Sequence, residues 1–171
     1  MNFEKVKKHC TITGLSPQQF PFSIGSPEEK ALEKSLKEQI KNEILQAIQE
    51  EYTEFYCGME LGCELWAGEI LLELRQEFPI KITSVIASEH RADDWSDEDR
   101  EKYFDEVLPN VDEEIYASRA NSHEAIPYRN KLLAQRTDKL IAVDNGADIS
   151  DVADLIRRVK KLGKEIVLIE I

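Results

Sequence analysis

The sequence predicts an α/β fold in which a mainly parallel sheet of six strands has helices on both faces. Short β-branched and apolar runs alternate with longer segments of helical periodicity along most of the chain. Serine and proline mark several helix starts, and glycine or proline follows several helix ends. The chain has 171 residues and no linker that divides it, so we expect one domain over residues 1–171.

The first predicted strand, residues 9–13, ends before Gly14 and leads into a long loop. Ser26 then supplies an N-cap, Pro27 suits the first helical position, and Glu29 completes a capping box. Apolar residues follow at every fourth position: Leu32, Leu36, Ile40, Ile44 and Ile48. This spacing predicts a helix with one stripe on the core and a charged face in water.

Three more strand–helix pairs follow: strands 52–57, 81–87 and 114–118, and helices 61–78, 97–108 and 128–136. Pro79 and Pro109 end the first two of these helices because proline has no amide hydrogen for the helical ladder. Ser96 caps the second, and acids follow it in the first turn.

A fifth strand at residues 139–144 precedes the last helix, for which Asp148 and Ser150 are both candidate N-caps. The apolar face of this helix consists of Val152, Leu155, Ile156, Val159 and Leu162. Gly163 ends it, and a sixth strand at residues 165–171 follows. Alternating strands and helices imply right-handed crossovers, so we predict a three-layer, Rossmann-like architecture.

Charge and cysteine content limit the partners and the cellular compartment that we expect for this protein. The chain has 34 acidic and 22 basic residues and a net charge of -12, which disfavours duplex nucleic acid as a partner. No apolar run approaches the roughly 18 residues that span a bilayer. Cys10, Cys57 and Cys63 form no Cys-x-x-Cys pair, so we expect a cytoplasmic protein whose cysteines are buried hydrophobes, with a reactive thiol as the alternative.

Ligands of parallel sheets bind outside the carboxyl ends of the strands. Four loops follow such ends here: 14–25, 58–62, 119–127 and 144–150. Within the second, Gly58 and Gly62 leave backbone amides at a helix N-terminus open to a phosphate; the alternative is a tight turn that only permits close packing. Glu64 suits a ribose hydroxyl or, alternatively, complements the helix dipole.

Tyr128-Arg129-Asn130 begins the fourth helix, where side chains can reach the same crevice. The Arg129 guanidinium is suited to bidentate phosphate binding; its alternative is an ion pair with one of the many acids. We predict no metal site, because His9, His90 and His123 lie far apart in sequence. Neither a Gly-x-Ser-x-Gly elbow nor a Walker A loop is present.

Several short motifs occur in an order that covers nearly the whole chain. They are Thr13-Gly14 with Pro17, Gly62-x-Glu64-Leu65-Trp66-Ala67, Trp95-Ser96, Tyr128-Arg129-Asn130 and Asp138-Lys139-Leu140-Ile141-Ala142. With these motifs the sequence resembles the YpsA-like family of the SLOG superfamily. That superfamily includes the DNA-processing protein DprA and the LOG phosphoribohydrolases. The resemblance implies a nucleotide-derived ligand and adds Gly14, Asn130 and Gly146 to the candidate binding residues.

Two departures from the family pattern stand out. Gly14-Leu15-Ser16-Pro17 lacks the basic residue that the family usually has before the proline. After the fifth strand the family commonly has a Gly-Gly-Thr phosphate loop, whereas this chain has only Gly146, with Asp148 close by. An uncompensated carboxylate there would repel a phosphate.

These observations lead to three functional hypotheses. The first is a protein that senses a nucleotide or an ADP-ribose-like molecule, with no catalytic residue assigned. The second is a hydrolase of the N-glycosidic bond in a nucleoside monophosphate, in which Glu64 stabilises oxocarbenium charge and Arg129 holds the phosphate. The third is a protein-interaction module that uses Phe20, Phe22 or Trp95. The number of subunits is left open, and the sequence is compatible with a homo-oligomer.

Overall fold

The structure, a computed structural model, describes residues 6–119 and 122–171 and contains one sheet of six parallel strands. The strands are β1 (His9–Gly14), β2 (Glu54–Cys57), β3 (Lys81–Ser88), β4 (Glu113–Ser118), β5 (Lys139–Asp144) and β6 (Glu165–Glu170). Their order across the sheet is β4-β3-β2-β1-β5-β6. The chain therefore moves outward from β1 in both directions, and the order reverses between β1 and β5.

The helices are α1 (Pro27–Gln49), α2 (Cys63–Leu74), α3 (Asp97–Glu101), α4 (Ala125–Arg136) and α5 (Asp151–Lys161). Helix α1 packs on α2, and α4 packs on α5. Right-handed crossovers that move along a sheet in opposite directions place their helices on opposite faces, so the two pairs cover the two faces. The predicted three-layer, Rossmann-like α/β fold is confirmed.

Strand β1 lies at the centre of the core. Its residues from Cys10 onward are buried, and it pairs with β2 on one side and β5 on the other. The apolar stripe predicted for α1 contributes Leu36, Ile40 and Ile44, all with 0% exposure. Strands covered on both faces need side chains that tolerate burial in both directions, which is why β5 has an apolar run at residues 140–143, whereas β1 buries Thr11 and Thr13 between apolar residues.

Helix starts agree with the caps that the sequence predicts. Ser26 Oγ accepts from the Glu29 amide at 3.2 Å, and Ser150, not Asp148, caps α5 through the Ala153 amide at 2.9 Å. The capping box at α1 differs in one bond, because the Glu29 carboxylate accepts from the Gly25 amide at 3.1 Å. Glu29 thus holds the loop that precedes the cap instead of the cap residue.

The boundaries of three helices differ from the prediction, and one difference is that α2 begins at Cys63 instead of residue 61. The helix expected at residues 97–108 is α-helical only over Asp97–Glu101, and Lys102–Val107 is a π-helix followed by the 3-10 turn Leu108–Asn110. Pro109 lies inside that turn and cannot donate to an α-helical acceptor, so α-helical bonding does not continue through it. Helix α2 ends at Leu74 instead of residue 78, with turns before Pro79.

Helix α4 begins at Ala125, three residues before the predicted start. Pro127 therefore lies in its first turn, where a missing amide hydrogen costs nothing because those amides have no helical acceptor. A proline that seemed to precede the helix belongs to it.

All three cysteines are buried and unpaired, as expected for small hydrophobes. Burial raises the pKa of the Cys57 and Cys63 thiols to about 12, and it also raises the pKa of Cys10. A thiol with a raised pKa stays protonated near neutral pH. Because the thiolate is the nucleophile, we expect all three cysteines to be unreactive. Within the described residues, no helix is long and apolar enough to cross a membrane.

We predict that Ser26→Ala lowers the free energy of unfolding by about 1 kcal/mol, because the Glu29 amide loses its acceptor. Ser35→Ala in the same helix is the matched control, since Ser35 is exposed and alanine has the higher helix propensity. Urea denaturation of both variants measures the difference. Equal stability of the two variants would contradict the capping role.

Candidate functional site

A cleft of about 110 Å³ opens at the carboxyl edge of the sheet, where the strand order reverses. The loop after β1, the loop after β2 and the first turns of α2, α4 and α5 meet there. Its lining residues are Gly14, Ser16, Gln19, Glu60, Leu61, Glu64, Arg91, Ile126, Arg129, Asp151 and Val152. The cleft therefore brings together Gly14, Glu64 and Arg129, which the sequence analysis selected from different parts of the chain.

Glu64 and Arg129 form a buried ion pair at this cleft. Arg129 Nη1 donates to Glu64 Oε1 at 2.8 Å, and Nη2 donates to Oε2 at 3.3 Å. The side chains are 4% and 1% exposed, respectively. The alternative of an ion pair thus holds for Arg129, and the pair lies in the interior, whereas most pairs between arginine and acids lie on the surface. Bidentate geometry fixes both side chains more firmly than a single hydrogen bond would.

A hydrogen-bond network extends from this pair to both neighbouring elements. Thr13 Oγ1, on β1, donates to Glu64 Oε2 at 3.1 Å. Arg129 Nη2 also donates to Asn130 Oδ1 at 3.1 Å, and Asn130 Nδ2 donates to the Asp151 carbonyl at 2.9 Å. The network ties β1, α2, α4 and α5 together, so the candidate residue Asn130 orders the site from behind without lining the cleft.

The glycine at position 58 makes room for the ion pair. A Cβ atom placed on Gly58 would overlap Glu64 Oε1 and Arg129 Nη1. The sequence analysis weighed Gly58 as a phosphate-binding glycine or as a packing glycine, and the structure places charged side chains against it. Its physical role in this arrangement is close approach of backbone and side chains.

Gly62 and Gly14 hold the loop after β1 against the start of α2. Gly62 has a φ of +91°, and a Cβ atom there would lie 2.7 Å from the Leu15 carbonyl oxygen. The Cys63 amide donates to that same oxygen at 3.1 Å. A Cβ atom on Gly14 would lie 2.9 Å from Val143 Cβ. Both glycines therefore permit close packing, and Gly14 also lines the cleft.

Gly146 lies apart from the other candidates. It is exposed, has a φ of +77°, and a Cβ atom on it would meet nothing within 4 Å. The loop that contains it does not line the cleft. Nearby Asp148 is also exposed, and its carbonyl accepts from Arg157 Nη1 at 2.8 Å.

The Glu64–Arg129 pair forms the floor of the cleft, and its electrostatics follow from its burial. Desolvation raises the pKa of the Glu64 carboxyl above its ordinary value, while attraction to Arg129 opposes that rise. The hydrogen bond from Thr13 acts in the same direction as Arg129. Arg129 Nε has no hydrogen-bond partner among the described residues, although the side chain is 1% exposed.

A second ion pair lines the cleft and was missed from sequence. Arg91 Nε donates to Glu60 Oε1 at 2.6 Å and Nη2 donates to Oε2 at 3.1 Å, with side chains 28% and 18% exposed. Arg91 follows β3, whose loop was not among the four selected. The position of Arg91 in the sequence could have identified it, because its loop also leaves the carboxyl end of a parallel strand.

Comparison with known proteins gives relatives of low identity. The UPF0398 proteins of Bacillus cereus strain B4264 and Bacillus thuringiensis strain Al Hakam are each 26% identical over 108 residues, which is 61% of this chain. The chain spans 58% of the length of these curated relatives.

The structure resembles that of DNA processing protein A (DprA) from Streptococcus pneumoniae, with a TM-score of 0.58 and 15% identity. The match covers 92% of this chain and 49% of the streptococcal chain, and it supports the fold alone. The sequence profile described as the YspA SLOG family, YpsA, matches residues 10–165. The resemblance inferred from the motifs is confirmed, and the chain belongs to the YpsA family of SLOG proteins.

Proposed function

We propose that this protein binds a nucleotide or an ADP-ribose-like molecule in the cleft between the Glu64–Arg129 pair and the Glu60–Arg91 pair. The observation that carries the proposal is a buried, bidentate ion pair lining a cleft at the point where strand order reverses. Open α/β sheets bind their ligands at this position.

Burial of the floor pair supports a binding role. Desolvating two charges is costly, and apolar side chains of similar size would stabilise a fold as well or better. A buried pair that lies beside a cleft is therefore more informative than the same pair in a closed core. Ionisable groups with shifted pKa values at a cleft are candidates for ligand contact.

The size of the cleft defines how much of a ligand it takes. Pockets that enclose a whole drug-sized ligand have volumes of roughly 300–1,000 Å³. The cleft, at about 110 Å³, suits one part of a nucleotide. The remainder would lie along the exposed loops around its mouth.

The hydrolase hypothesis fits the geometry less well. Glu64 would have to present a free carboxylate oxygen to the sugar carbon. Both of its oxygens instead accept hydrogen bonds, from Thr13 and Arg129. We therefore favour binding without hydrolysis, and base release from AMP is the assay that would reverse this preference.

The interaction-module hypothesis loses two of its three aromatic residues to packing. Phe20 is 6% exposed and stacks on Trp66, and Trp95 packs edge-on against Tyr103. Phe22 is 42% exposed. A single exposed phenylalanine is common on soluble proteins and does not define an interface.

The streptococcal protein is named for DNA processing, but we do not propose duplex DNA as a ligand of this chain. A net charge of -12 repels a polyanion over the whole surface, and the basic side chains of the cleft are already paired with acids. This charge distribution supports a small ligand.

We predict that calorimetry with ADP-ribose, NAD and nucleoside monophosphates finds a saturable ligand, and that Arg91→Ala weakens its binding about tenfold by removing a charged donor from the cleft. Arg75→Ala is the matched control. Arg75 pairs with Asp112 at 3.0 Å near the amino ends of β3 and β4, and its side chain is 31% exposed. We expect its removal to leave affinity unchanged. A panel without any binding would refute the proposed function.

Arg129 requires a stability experiment as well. We predict that Arg129→Met lowers the free energy of unfolding by about 3–5 kcal/mol, because Glu64 is left buried and unpaired. The double variant Glu64→Gln/Arg129→Met should regain most of that loss, since it removes the uncompensated charge. Urea denaturation near neutral pH measures both.

The pH dependence of Arg129→Met has a defined sign. Burial raises the pKa of Glu64, so the folded state binds the proton more readily than the unfolded state does. The stability that the protonated carboxyl contributes is lost as pH rises through the raised folded value. Removing Arg129 also removes the attraction that opposes this rise, so protonation of Glu64 stabilises the variant more than the wild type. The deficit of Arg129→Met should therefore shrink as pH falls toward the ordinary value, 4.5. A deficit that grows on acidification would contradict this account.

A further inference from the structure

The charges around the cleft do not favour an anion. Two arginines, Arg91 and Arg129, line it together with three acids, Glu60, Glu64 and Asp151. Each arginine already forms a bidentate pair with one of the glutamates. Asp151 is left over, so the lining carries one more negative than positive charge.

A phosphate group would need one of these arginine forks. To occupy the fork of Arg129 it would have to displace Glu64, whose carboxylate would remain buried and unpaired. The N-terminus of α5 is another usual anion site, but its first turn carries Asp151 and Asp154. The forks of Arg91 and Arg129 are thus occupied by Glu60 and Glu64, and the N-terminus of α5 by its own carboxylates.

The hydrogen-bonding groups left at the cleft suit a different chemistry. Carboxylates only accept hydrogen bonds, and Asp151 offers an exposed carboxylate at the cleft. The buried Arg129 Nε is a donor without a partner among the described residues. A hydroxyl group both donates and accepts, whereas phosphate oxygens near neutral pH act mainly as acceptors. Arg129 and Asp151 both line the cleft and interact electrostatically with each other, so two adjacent hydroxyls could accept from the one and donate to the other.

We propose that the cleft binds the uncharged sugar of its ligand through a vicinal diol, and that any phosphate of that ligand lies outside the cleft. This inference rests on the proposed function, since it names the part of the nucleotide-like ligand that enters. It differs from the sequence hypothesis for Arg129, which assigned the guanidinium to a phosphate.

The test uses fragments, so it does not depend on the base. Arginine side chains of the full chain are labelled with ¹⁵N, and the Arg129 Nε–H signal is followed by NMR. The probes are methyl β-D-ribofuranoside, its 2-deoxy analogue and inorganic phosphate. We expect a saturable shift with the ribofuranoside, about tenfold weaker binding of the 2-deoxy analogue, and no saturable shift with phosphate.

Saturable binding of phosphate without the ribofuranoside, equal binding of the two sugars, or no shift with either sugar would each overturn the inference. The calorimetric panel judges the proposed function separately. A nucleotide that binds there, while the ribofuranoside fails here, would leave the function standing and remove only the sugar assignment.

Asp151→Asn adds a test in which the two assignments predict opposite signs. If Asp151 accepts from a sugar hydroxyl, the variant binds the ribofuranoside at least about threefold more weakly. If the cleft holds phosphate, removing this charge strengthens phosphate binding instead, and that result overturns the proposal. Asp148→Asn removes the same charge from an exposed residue that does not line the cleft, so we expect unchanged binding of the ribofuranoside.

Discussion

The Glu64–Arg129 ion pair joins two helices that cover opposite faces of the sheet. Glu64 lies in the first turn of α2 and Arg129 in α4, so their side chains meet past the carboxyl end of β2. Thr13 and Asn130 extend the contact to β1 and α5. The relative position of four elements therefore depends on one charged contact, and so does the shape of the cleft that they enclose.

The same contact links stability to the proposed ligand binding. A buried pair is held in place because each partner would be left as an unpaired charge if the other moved. The Glu60–Arg91 pair, with side chains 18% and 28% exposed, is held less strictly, since water reaches part of each partner. The cleft thus combines a buried floor, the Glu64–Arg129 pair, with a more exposed rim, the Glu60–Arg91 pair, and this arrangement fits the proposed binding of one chemical group.

Much of the fold could be predicted from sequence because its signals are local. Caps at Ser26, Ser96 and Ser150 and the periodicity of α1 and α5 act within a few residues, and the structure has helices at each of them. The helix boundaries near Pro109 and Pro127 could not be predicted from such local signals. A proline is compatible with either side of a helix start, and tertiary packing decides which one occurs.

The candidate site was predictable in its residues but not in its connections. Glu64 and Arg129 could be selected because both lie where chain segments leave the carboxyl edge. Their mutual pairing could not, since they are 65 residues apart and on different faces of the sheet. Arg91 was missed for the opposite reason: its loop is polar and irregular and contains no glycine, and Arg91 itself lies several residues before the next helix start.

The bare backbone at Gly58 has a consequence for how such a site can change over time. Because a methyl group at this position would overlap both members of the ion pair, the position can accept a side chain only after both Glu64 and Arg129 have become shorter or have moved. Loss of either charge first is itself destabilising, so the three positions are epistatic. Viable routes between different versions of this site should pass through coupled replacements instead of single steps, and the three residues should be inherited as a unit.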